Sequence, residues 1–167
     1  MTVKTRVPFA FLILALVFPG VSCKNGMDEE NMKIPRLMVE TRGADAPGSR
    51  QVELTLPISG TSIMVRNEPV IHEFQITDIE LVKVDMGKAL LIKVSDLGAR
   101  ALYRQTVANM GKRMVLTVNG TPVGARRIEA PIKNGIYYTF VDEVPDSELD
   151  DLVIDLKKTL EELQSRQ

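Results

Sequence analysis

The chain has 167 residues, 44% hydrophobic and 26% charged, with a formal net charge of −1. That length holds one domain with a full hydrophobic core after a targeting segment is set aside, and the near-neutral balance argues against the basic face of a nucleic-acid binder. Trp is absent and aromatics make up 5%, which argues against base-stacking platforms, and the single Cys cannot close an internal disulfide.

Lys4 and Arg6 form a positive start, residues 7–18 an apolar run, and Gly20 and Ser22 a small-x-small cleavage pattern, so residues 1–22 read as a signal peptide. The apolar run is shorter than the roughly 20 residues a transmembrane helix needs. Val21-Ser22-Cys23 resembles a bacterial lipobox and departs from it at Gly20, where a bulky aliphatic residue is usual. Acylation of Cys23 would anchor the chain to a membrane, each buried methylene contributing about 0.8 kcal/mol. The alternative is a plain secreted protein with Cys23 merely near the cut. Residues 23–50 are polar and rich in chain breakers, the composition of a tether, with one short strand candidate at 34–39.

A folded domain is expected over residues 51–164. Val52, Leu54 and Leu56 alternate with polar residues, the period of a half-buried strand. Residues 62–66 form a second strand candidate halted by Asn67-Glu68-Pro69, and residues 76–84 and 89–94 form two more around a turn at 85–88. At Ser95 or Asp96, either of which suits a helix N-cap, the period becomes helical, with Ala99, Tyr103, Thr106, Val107 and Met110 recurring on one face. Gly111 suits the residue just past the helix, and Lys112 and Arg113 complement its negative end.

Strand 114–118, an Asn119-Gly120 type I′ turn and strand 123–128 follow, then the aromatic and β-branched strand 136–141. Leu149, Leu152, Val153, Leu156, Leu160 and Leu163 make one helical stripe, read as core, with Asp146 or Ser147 able to cap its start. The acidic residues Asp142, Glu143, Asp146, Glu148, Asp150 and Asp151 lack the spacing of a calcium loop and suit the helix start electrostatically. The order of elements predicts an α+β fold: a mixed or mainly antiparallel sheet with two helices packed on one face.

Residues 109–132 carry a signature. Asn109, Gly111, Lys112 and Arg113, then Asn119-Gly120, Ala125 and Pro131-Ile132, resemble the pattern of the SecD protein-export family, in the head subdomain of its first periplasmic domain. Residues 65–70 resemble that family's Glu-Pro-Val segment, and Ser95 to Gly98 its Thr-Pro-Glu-Gly-Ala helix start. The likeness covers roughly residues 51–163. Arg126 and Arg127 depart from the family's Pro-Val, Ala130 from its Glu, and Asn134-Gly135 from its Gly-Gly. The resemblance implies a stand-alone head-like domain on a lipoprotein. Its expected partners are an exported polypeptide or a Sec or other envelope membrane protein, with a lipid anchor holding it at a bacterial membrane facing the periplasm. A proton-driven motor would need transmembrane helices in addition.

No chemistry-bearing constellation stands out. His72 is the single histidine, too few for a tetrahedral metal site, and no nucleophile motif surrounds it. Gly111-Lys112-Arg113 has no Walker-type loop before it, so no cofactor is expected. Lys112, Arg113, Arg126 and Arg127 are the candidate partner-binding residues, although neighbours on a strand face opposite ways and only one of Arg126 and Arg127 joins a given patch. The leading expectation is a non-catalytic binding domain using residues 119–132 and strand addition at a sheet edge. Alternatives are an enzyme centred on His72 and Glu73, and a dimerisation module with its leucine stripe partly exposed.

Overall fold

The computed structural model describes residues 31–43, 50–85, 87–141, 145 and 148–166. Residues 1–22, Cys23, Asp142, Glu143, Asp146 and Ser147 lie outside the described residues. The strands are β1 (Pro35–Val39), β2 (Gln51–Thr55), β3 (Ser62–Arg66), β4 (Ile76–Val84), β5 (Gly87–Val94), β6 (Arg113–Val118), β7 (Thr121–Arg127) and β8 (Ile136–Phe140); the helices are α1 (Asp96–Ala108) and α2 (Leu149–Ser165). The fold is α+β, and every strand pairing is antiparallel. The strands divide into three ladders, β1-β6-β7, β2-β3 and β4-β5-β8.

The β1-β6-β7 sheet is covered on both faces because its strands are apolar at successive positions. Leu37, Val39, Met114 and Leu116 enter the main core, while Met38 and Val115 pack with Leu54, Ile63 and Val65 of the β2-β3 hairpin in a smaller core. The main core continues through Ile79, Leu90, Ile92 and Tyr137 of the β4-β5-β8 sheet to Leu102 of α1 and Val153, Leu156 and Leu160 of α2. The leucine stripe is therefore internal: of its six residues only Leu152 is not fully buried.

Two expectations change. The segment assigned to a tether contains β1, which pairs along its whole length with β6 and buries Leu37 and Val39 completely. Asn119 ties this segment down further, its side chain accepting from Ile34 N at 2.8 Å and donating to the Met32 carbonyl at 2.9 Å. The turn remains type I′-like, with φ of 51° at Asn119 and 83° at Gly120.

Helix α1 is capped by Ser95, whose Oγ accepts from Gly98 N at 3.3 Å. It is rotated from the expected stripe: Gly98, Leu102 and Thr106 are buried, while Tyr103, Val107 and Met110 are exposed. The cause is close approach to β5. A Cβ on Gly98 would lie 2.8 Å from Val94 Cβ and 3.1 Å from the Gln75 carbonyl oxygen, so the glycine side must turn inward.

Candidate binding groove

Sheet β4-β5-β8 carries apolar side chains on both faces, with a Lys93–Glu80 ion pair at 2.7 Å on the outer one. One face enters the core; on the other, the register aligns Glu80, Leu91 and Tyr138 in one row and Val82, Ala89 and Phe140 in the next. This outer face and the end of β7 enclose a hollow of about 540 Å³, lined by Val82, Val84, Leu91, Tyr138, Phe140 and Arg126, among others. A second hollow of about 400 Å³ lies between the segment after β7 and β8, and shares Arg126, Glu129 and Tyr138 with the first.

Arg126 stands between the two hollows. Its guanidinium carbon lies 3.5 Å from the Tyr138 ring centroid, a cation–π stack, and its Nη2 is 3.9 Å from Glu129 Oε2. The neighbouring Tyr137 faces the core and donates to the Met114 carbonyl at 2.7 Å, linking two sheets. Burial pushes its phenol well up from the ordinary value, so it stays a protonated donor. The floor of the larger hollow is thus aliphatic and aromatic, with the Arg126 cation and the exposed carboxylates of Asp85 and Glu129 at the rim. That chemistry suits apolar side chains flanked by polar backbone.

Of the candidate residues, only Arg126 lines both hollows; Arg127 lines the smaller one alone. Arg127 is paired in register with Arg113 on the opposite face of the sheet, beside Gly111 and Lys112. Arg113 is held internally: its backbone N, Nε and Nη2 donate to the Glu40 carboxylate at 2.7, 3.2 and 3.2 Å. Burial alone would raise the Glu40 pKa; the Arg113 hydrogen bonds outweigh it and hold the carboxyl below the usual range. The four basic residues therefore split into Arg126 at both hollows, Arg127 at the edge of the smaller one, and Lys112 and Arg113, which line neither. Tyr138, Phe140, Leu91 and Val82 escape a sequence reading. Their one signal is that strands 89–94 and 136–141 are apolar at consecutive positions, which marks a strand with two occupied faces.

His72 is exposed, and the adjacent Glu73 is committed elsewhere, accepting from Arg36 Nε at 2.7 Å and Nη2 at 3.0 Å. The Arg36 hydrogen bonds hold the Glu73 carboxyl below its usual range despite burial. Because the folded pKa lies below the unfolded value of about 4.3, the pair's contribution is complete above that pH and is lost as pH falls through the folded pKa. Glu73→Gln is expected to cost about 2 kcal/mol at neutral pH and to flatten the acid loss of stability. Urea melts between about pH 6 and pH 3 check this; parallel stability curves for the two proteins would rule it out. Among the described residues no group of three His, Cys, Asp or Glu side chains could hold a metal ion, and no helix is long and apolar enough to cross a membrane.

No protein-family model and no curated protein matches the chain. Among solved structures, the chain is similar to SecDF, a membrane component that enhances protein export, with a TM-score of 0.57 and 14% identity over 76% of this chain and 63% of that one. It is also similar to SecDF in its super-membrane-facing form, with a TM-score of 0.55 and 13% identity over 78% of this chain and 19% of that one. The chain has a SecD-like fold. It spans less than two thirds of the length of either SecDF chain, and at this identity the likeness concerns the fold.

Proposed function

We propose that the chain is a non-catalytic binding domain of the cell envelope, equivalent to the SecD periplasmic head, which holds extended segments of exported polypeptides. It would be exported by residues 1–22 and anchored through lipid on Cys23. The observation that carries the reading is the edge strand β4. It runs nine residues and pairs only with β5 among the described strands, next to the apolar floor formed by Val82, Leu91, Tyr138 and Phe140. A partner strand added along β4 would satisfy its outward N–H and C=O groups, and alternate partner side chains would fall on the groove floor. The SecD-like fold and the printed role of SecDF in export support the choice of partner.

Fluorescence anisotropy of a labelled, unfolded secretory polypeptide against the full chain tests the reading. Tyr138→Ala is expected to weaken binding at least tenfold, since a groove aromatic is worth about 2 kcal/mol as an anchor. Arg126→Glu weakens it as well, and Lys112→Glu, at a residue that lines neither hollow, leaves it unchanged. Equal affinity for all four proteins would overturn the groove. The anchor is checked separately: palmitate labelling present in the wild type and absent in Cys23→Ala is expected, and unlabelled wild type would overturn it.

A further inference from the structure

Helix α1 turns an apolar and cationic face away from the core. Leu97 is 60% exposed, Tyr103 40%, Val107 48% and Met110 47%, with Arg100 and Arg104 exposed among them. At about 100° per residue, Arg100, Arg104 and Val107 mark the middle of this face, with Leu97 at one margin and Tyr103 at the other, and Met110 follows just past the helix end. After Asp96 the helix carries no carboxylate. Cations also surround it. Lys133 Nζ lies 5.9 Å from the Tyr103 ring centroid, and Lys112, Arg113 and Arg127 cluster just past the helix end. Arg42 reaches the same place, its Nη2 donating to the Gly111 carbonyl at 3.0 Å. The carboxylate at that end, Glu40, is buried and spent on Arg113 and Arg42.

We propose that this face of α1 docks on a bilayer surface rich in anionic headgroups. The apolar side chains enter the interfacial region, and Arg100 and Arg104, with long aliphatic stems and bidentate heads, lie alongside them and engage phosphates. Charge decides the occupant. A second copy of this chain would bring like charges face to face and be repelled. An aqueous setting explains the cations but not three large apolar side chains on one helix face with Met110 just past its end. An anionic bilayer satisfies both, because attraction to its headgroups grows with each Lys or Arg near the surface. The groove lies on the opposite face of the β4-β5-β8 sheet from the core into which α1 inserts Leu102. Docking through α1 therefore leaves the larger hollow open, and the inference stands independently of the proposed function.

The chain contains no Trp, so Tyr103→Trp supplies a single reporter. In the full chain reconstituted in vesicles with brominated acyl chains, its emission is expected to be quenched at least twofold when phosphatidylglycerol is present and to be unaffected in pure phosphatidylcholine. Adding Arg100→Glu and Arg104→Glu abolishes the quenching, while the thermal melt of that variant, altered only at exposed positions, confirms that it is folded. Equal quenching in both vesicle types, none in either, or quenching that survives the double charge reversal each overturns the proposal. The second of these results would point to a protein partner for the face instead.

Discussion

Gly124→Val is expected to lower stability by about 3 kcal/mol or more and to abolish ligand capture by the groove. β7 and β8 are neighbours in space but belong to different ladders. They meet closely at Gly124, where a Cβ would land against the Phe140 carbonyl oxygen and lie 3.1 Å from Thr139 Oγ1. The obstacle is backbone, which cannot rotate aside as a side chain does, so any larger residue must push the two sheets apart. Separation would strain the Tyr137 hydrogen bond to Met114 and the stack of Arg126 on Tyr138. Gly124→Ala meets the same carbonyl and should show most of the loss. Chemical denaturation gives the result directly; a change below about 1 kcal/mol would show that the seam between the sheets yields without cost.

Leu37→Ala carries the second large effect, a loss of about 3 kcal/mol, in the range for truncating a fully buried leucine. Leu37 is completely buried in the main core, and its backbone N donates to the Ile71 carbonyl at 3.0 Å while its carbonyl accepts from Val70 N at 2.8 Å. β1 is thus held on both sides, by β6 and by the segment at 70–71. Were this stretch a tether, the substitution would be silent. Thermal or urea denaturation distinguishes the two, and an unchanged midpoint would return residues 35–39 to the linker.

Local patterns were legible where one interaction dominates. The Asn119-Gly120 turn, the Ser95 cap and the leucine stripe of α2 appear where the sequence places them, because each depends on neighbours within a few residues; of the alternation at 52–56, Leu54 and Leu56 are buried and Val52 is exposed. The inward side of α1 is not legible in the sequence because Tyr103, Val107 and Met110 are as apolar as the residues that face inward. Periodicity cannot choose between overlapping faces when the buried side is led by a glycine. The groove was invisible for a related reason: Leu91, Tyr138 and Phe140 come together only through the register of three strands.

By itself, the sequence determined the α+β class, the order of its elements from residue 51 onward, and the identity of the fold-specifying turn and caps, since these are set by short-range sterics and periodic burial. Tertiary structure alone decided that β1 completes the core, that Arg126 stacks on Tyr138, that Arg113 is consumed by Glu40, and which side of α1 meets solvent. Those outcomes rest on contacts between residues dozens of positions apart, where packing distance and charge pairing outrank local preference.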